Sequence, residues 1–176
     1  MSTESRTGRI TRLARRVIYL FVLIGVMVFF LRYDIVTIPD DYTHLSTQRM
    51  SPGTHVVLTE CDSDTVIGIG SVVIYEPPRH PDKRCWGVIA GLPGETITVQ
   101  TRDDGMAILV LGDREELLLR TQGWELSSGV IPDGHFIILA GDRHLRVPST
   151  FPDSRQLGPI ARDQIQSKVV APLSFF

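Results

Sequence analysis

Few side chains in this 176-residue chain are equipped for covalent or metal chemistry, and their spacing is the first constraint on function. The nucleophilic thiols are Cys61 and Cys85, the imidazoles are His44, His55, His80, His135 and His144, and the lysines are Lys83 and Lys168. The histidines lack metal-ligand spacing of the HxxxH kind, and two cysteines cannot build a four-cysteine zinc site, so no metal or other cofactor is expected. Asp62 and Asp64 make too short a run for a calcium loop and read as a turn. The sequence contains neither a Walker loop nor a GxGxxG turn. His135 or His144 with Asp153 and Ser154 supplies the residue types of a Ser–His–Asp triad. Nearness in sequence does not supply triad geometry, so no catalytic role is assigned to them. Lys83 sits in the polar run Arg79-His80-Pro81-Asp82-Lys83-Arg84 and reads as a solvated loop lysine.

The elements that would position these residues are mostly strands. After residue 33 no helical period is convincing, and short β-rich runs alternate with turn signals. Strands are predicted near His55–Thr59, Ser71–Tyr75, Trp86–Ala90, Thr96–Gln100, Ala107–Leu111, Glu116–Arg120, His135–Leu139 and Ser167–Ala171. Turns are predicted at Ser51-Pro52-Gly53, Glu76-Pro77-Pro78, Leu92-Pro93-Gly94, Asp103-Asp104-Gly105 and Pro132-Asp133-Gly134. Many short, closely spaced strands imply a mainly β fold, an antiparallel and partly closed barrel. Residues 33–50 read as a connector and 51–176 as the folded domain.

The N-terminal stretch differs in kind. Val17 to Leu31 carries no charge, and Arg15, Arg16 and Arg32 flank it. Fifteen helical residues span roughly 22 Å, and snorkelling arginines with Leu13 and Ala14 extend that reach toward a bilayer core. Arg32-Tyr33-Asp34 follows in place of a small-residue cleavage site, so residues 17–32 are expected to stay as an uncleaved transmembrane anchor. Residues 1–32 hold six arginines and one acid, whereas 33–176 hold 12 basic and 19 acidic residues. The positive-inside rule then puts residues 1–16 in the cytoplasm and the β domain in the periplasm or outside the cell. The lipid bilayer is thus an expected partner. A net charge of −2 with its basic residues gathered beside the anchor argues against nucleic acid. In an oxidising compartment Cys61 and Cys85 either form one disulfide or remain two buried thiols.

Four ordered blocks carry a family resemblance: Arg49-Met50-Ser51-Pro52; Gly70-Ser71-Val72-Val73-Ile74-Tyr75-Glu76-Pro77-Pro78; Gly91-Leu92-Pro93-Gly94-Glu95 with Thr96-Ile97-Thr98-Val99; and Pro132-Asp133-Gly134-His135-Phe136, Gly141-Asp142 and Asp153-Ser154-Arg155-Gln156-Leu157-Gly158-Pro159. Behind an N-terminal anchor they resemble the type I signal peptidase family, including its conjugative branch that matures pilin precursors. The resemblance spans about residues 45–172. It implies a signal-peptidase-like, β-barrel-like domain in a compact form without a large inserted cap. Met50, Pro52, Gly91, Leu92, Pro93, Gly94, Gly141, Asp142, Asp153, Ser154, Arg155 and Gly158 are its structural motif residues. Asp153 and Arg155, two apart, would share one face of a strand, and as a surface pair would contribute about 0–1 kcal/mol.

Active members of that family use a serine nucleophile and a neutral lysine base. Carried over, the nucleophile position before Met50 is Arg49 and the base position five before Leu92 is Gly87. Arginine offers no hydroxyl and stays charged, and glycine offers no base. A non-catalytic membrane protein is therefore expected, one that binds an extended peptide or serves as a subunit of a secretion, conjugation, respiratory or photosynthetic assembly. The competing reading is an active peptidase with Ser51 as nucleophile and Lys83 as base. Lys168, near the end of the last block, reads as structural. A third reading is a standalone membrane β domain whose resemblance is only structural.

Overall fold

A chain crossing lipid must satisfy its own N–H and C=O groups, and a continuous helix does so. In the computed structural model, which describes residues 4–40, 42, 50–78, 82–119, 123–139 and 151–173, helix α1 runs Glu4–Arg32. Its Ala14–Arg32 part, 19 residues, is long and apolar enough to cross a membrane. The helix begins well before Val17, since arginine is a good helix former and no proline interrupts. The chain divides into two compact units, Met1–Asp34 and Ile35–Phe176.

The second unit is antiparallel β. Its strands are β1 (Tyr33–Thr37, carrying the chain in), β2 (His55–Glu60), β3 (Val72–Tyr75), β4 (Cys85–Gly91), β5 (Thr96–Thr101) and β6 (Met106–Leu111). They continue with β7 (Arg114–Leu119), β8 (Gly129–Val130), β9 (His135–Leu139), β10 (Ile160–Ala161) and β11 (Ile165–Leu173). Among the described residues, one sheet has the order β1-β2-β11-β3-β4-β9-β10 and a second the order β7-β6-β5-β8. All eight strands predicted from sequence are present. The mainly β, antiparallel expectation holds, with one apolar N-terminal helix ahead of it.

Side-chain alternation explains how the sheets bury themselves. β3 reads VVIY and is buried on both faces. Val73 and Tyr75 join Cys85, Ile89, Phe136 and Ile138 in one cluster. Val72 and Ile74 join Ile38, Tyr42, Leu58 and Trp86 in another. A third cluster ties the sheets together, Ile97, Leu109 and Leu118 meeting Ile131, Ile137 and Leu139.

Three differences from the sequence reading have physical causes. The segment 33–50 is not all connector, because Tyr33–Thr37 forms β1 and pairs at the edge beside β2. The two-residue strands β8 and β10 are too short to leave a period in sequence. Asp153 and Arg155 do not share a strand face: Asp153 caps a four-residue helix, α2 (Ser154–Leu157), which Gly158 ends at φ 71°. Of the motif and site residues, Arg49, Gly141, Asp142, His44, His80 and His144 lie outside the described residues.

Candidate functional site

Gly87, which the resemblance matches to a base, lies on β4. Gly87 stands opposite Val73 on β3 and is buried. A Cβ built on Gly87 would overlap Ile138 Cγ2 and lie 3.1 Å from Tyr75 Cε1 and 3.3 Å from the Leu139 carbonyl oxygen. The place a base side chain would leave the backbone is filled by two neighbours. Both neighbours are themselves fixed: the Tyr75 hydroxyl donates to the Pro152 carbonyl at 2.9 Å, and the Ile138 N–H donates to Ser154 Oγ at 2.8 Å. Burial, then the nearby Asp153 carboxylate, raise the Tyr75 phenol well above its ordinary value, so it stays a neutral donor.

The turn that holds this wall is built from the Asp153-Ser154-Arg155 motif, each residue fully buried. Asp153 Oδ1 accepts from the Arg155 backbone N–H at 2.9 Å as an N-cap. Arg155 Nε reaches both carboxylate oxygens at 3.2 and 3.1 Å, and Nη2 reaches Oδ2 at 2.9 Å. This is not the weak surface pair expected from sequence, because water is excluded and breaking either half strands a charge. Among the described residues, Arg155 Nη1 has no acceptor. Ser154, buried and bonded to Ile138 N–H, is not exposed as a nucleophile. His135 directs Nδ1 to the carbonyl of Asp133 at 3.0 Å, so Asp133 engages the ring nitrogen that a triad would give to Asp153.

Ser51 and Lys83 are both exposed. Ser51 lies in the turn that leads to His55, and His55 pairs with Leu173 at one end of β11. Lys83 lies two residues before Cys85, which pairs with Tyr75, which pairs with Ile165 at the other end of β11. Among the described residues no hydrogen bond joins Ser51 to Lys83. Lys168 stands in one cross-strand row with Val73 and Gly87, two strands from the latter. Its Nζ donates to the Val66 carbonyl at 2.9 Å, holding a loop.

The GLPGE block is a staple that sequence reasoning saw only in part. Gly94 takes φ 81° in the turn, and Glu95 accepts from the Leu92 N–H at 2.8 Å. Arg114 on β7 was missed; it donates to both Glu95 carboxylate oxygens at 2.9 Å and to the Ala90 carbonyl at 2.6 Å. Nothing in local sequence links residue 114 to residue 95, since the contact is made by the β5-β6-β7 meander. Met50 packs against the cluster around Trp86, and Pro52 occupies the turn before β2.

Cys61 and Cys85 are free thiols that pack on the same cluster. Burial pushes Cys85 up to about 11, and it raises Cys61 against the opposing pull of Arg162 and Lys168. Cys61 lines an open depression with Asp62, Ser63, Gly134 and Arg162, where Arg162 Nη2 holds the carbonyls of Asp62 and Thr65 at 2.5 and 2.7 Å. A protonated thiol there is a poor nucleophile at neutral pH.

No protein-family model matches the chain, and no curated protein matches it. Among solved structures it is similar to a signal peptidase I from Enterococcus faecalis V583, with 20% identity and a TM-score of 0.40 over 62% of this chain and the whole of that one.

Proposed function

We propose that the chain is a single-pass protein of the cytoplasmic membrane that carries a non-catalytic domain of signal-peptidase type outside it. In this reading residues 1–16 lie in the cytoplasm, 17–32 cross the membrane, and the β domain is a binding or structural subunit of a membrane complex. One observation carries the non-catalytic part: the space a lysine would need at position 87 is occupied by Ile138 and Tyr75. The ordered motif blocks support the family. The arginine excess of residues 1–32 supports the orientation. A domain with this sheet and no dyad retains the use that a peptidase groove makes of extended chains, which is strand pairing.

The test is purification from native membranes in mild detergent, with mass measurement of the intact particle. A particle larger than the protomer, holding a second membrane protein in fixed stoichiometry, is the expected result. A lone protomer favours a standalone membrane domain and overturns the subunit role. Orientation is read separately, by protease added outside spheroplasts, which should digest the chain after residue 33.

A further inference from the structure

The segment 61–71 between β2 and β3 is held in shape from within and from a distance. Asp62 Oδ1 accepts from the Thr65 hydroxyl at 2.6 Å and from the Asp64 N–H at 3.1 Å. Ile67 turns inward and is buried in the cluster with Val73 and Cys85. Arg162 grips the carbonyls of Asp62 and Thr65, and Lys168 grips the carbonyl of Val66, from about 100 residues away. Yet this fixed loop turns apolar side chains outward. Val66 is 79% exposed and Ile69 47%. Among the described residues Val66 is the most exposed large apolar side chain, ahead of any on the apolar span of α1. A slack loop can fold such a tip back onto the sheet. Here the carbonyls of Thr65 and Val66 are both tied, so the Val66 side chain stays in water until another surface covers it. Exposed carboxylates accompany the tip. Glu60, Asp62 and Asp64 lead into it, and Asp163 lines the adjoining hollow of about 460 Å³ with Asp62, Ser63 and Arg162. Arg162, the cation of that lining, is turned to the loop carbonyls and stands 6.0 Å from the Phe136 ring.

From this we infer that the 61–71 loop docks a protein partner whose contact surface is apolar at its centre and basic at its rim. Val66 and Ile69 fill the partner's apolar socket, and an arginine or lysine of the partner enters the hollow lined by Asp62 and Asp163. Charge chooses this occupant. An anionic bilayer surface or a nucleic acid would meet Glu60, Asp62, Asp64 and Asp163 and be repelled. A second copy would set the same carboxylates against themselves in a two-fold contact, and residues 33–176 carry 12 basic against 19 acidic residues. A basic rim pairs with these carboxylates and speeds encounter. A loop already fixed in its bound shape also loses little conformational freedom on docking. The inference rests on the subunit role proposed above and adds to it a surface and a partner chemistry.

Photo-crosslinking in intact native membranes tests it, with benzoylphenylalanine placed in the full chain at position 69, next to the tip, or in place of Thr98, an exposed control on β5. Position 69 should give one protein adduct whose cross-linked peptide holds apolar residues beside an arginine or lysine. Its yield should fall about tenfold with Val66→Asp. It should fall several-fold in Glu60→Gln/Asp62→Asn/Asp64→Asn/Asp163→Asn and in about 0.5 M salt. The change at Asp62 keeps the Oδ1 acceptor of the turn, and a thermal melt checks each variant. Should a variant fail to fold, the salt series on the otherwise unaltered chain still decides. A lipid adduct, an adduct of two copies of this chain, a cross-linked peptide without basic residues, equal yields at position 69 and Thr98, or a yield indifferent to salt would each overturn the proposal. A native particle of fixed stoichiometry with no adduct at position 69 overturns this docking surface and leaves the subunit role standing. A lone protomer with no adduct overturns both.

Discussion

The hydroxyl of Tyr75 donates to the carbonyl of Pro152 at 2.9 Å, joining β3 to a turn 77 residues away. That bond holds the aromatic ring against Gly87, the position where the resembled family keeps its base. Ile138, the other half of the wall, is tied to the same turn through Ser154. The packing around Gly87 and the buried Asp153–Arg155 turn are thus one structural unit.

Tyr75→Phe leaves the ring in place and removes the donor. The Pro152 carbonyl, buried with its residue, loses that partner, which costs about 1–3 kcal/mol. Urea unfolding of the β domain should show the lower midpoint with an unchanged slope. A midpoint equal to wild type would mean the bond contributes nothing net.

Gly87→Ala should destabilise by roughly 1–3 kcal/mol through overpacking against Ile138. Ile138→Ala destabilises alone, by the cavity it opens. In the double variant Gly87→Ala/Ile138→Ala the two effects should offset, giving a coupling of at least about 0.5 kcal/mol. Strict additivity in equilibrium unfolding would show that the two side chains do not compete for space. By the same geometry, installing Arg49→Ser with Gly87→Lys should not produce a peptidase.

Asp153→Asn removes the charge that faces Arg155 in a site closed to water. Breaking one half of a buried pair typically costs about 3–5 kcal/mol, so the domain should melt far earlier or fail to accumulate. Asp153→Asn/Arg155→Met, with neither charge, should recover part of that loss. A thermal melt of Asp153→Asn within a degree or two of wild type would contradict the burial.

Both thiols should titrate only after unfolding. In non-reducing denaturant two thiols per chain are expected to react with a chromogenic disulfide, and few in the native protein at neutral pH. The fold raises Cys85 to about 11, above the ordinary 9.0, so it favours the protonated thiol. That contribution is fully present below about pH 9 and is lost as pH climbs toward 11, because the unfolded chain gives up its proton first. The loss is on the order of 2 kcal/mol, and Cys85→Ala should flatten the decline. Fewer than two reactive thiols after unfolding would reveal a disulfide.

Much of the fold was legible because its strands are long enough to show composition and its turns carry glycine at positive φ, as at Gly94. The glycine at position 87 was legible too, as a matter of residue type. What filled the gap was not. Ile138 and Tyr75 reach Gly87 through sheet register, which a single sequence does not encode locally. The same is true of Arg114 meeting Glu95. Asp153 and Arg155 were read as a surface pair because charged residues are usually exposed. The helical cap and the burial that reverse this arise from tertiary packing. Ser51 and Lys83, partners by residue type alone, lie in separate loops, one before β2 and one before β4.

Incubation of the full chain in detergent with a preprotein substrate tests the non-catalytic reading most directly, with product followed by the appearance of a new mature N-terminus. The wild type, Ser51→Ala and Lys83→Ala should all match the rate without protein. Cleavage by the wild type that Ser51→Ala abolishes would contradict it.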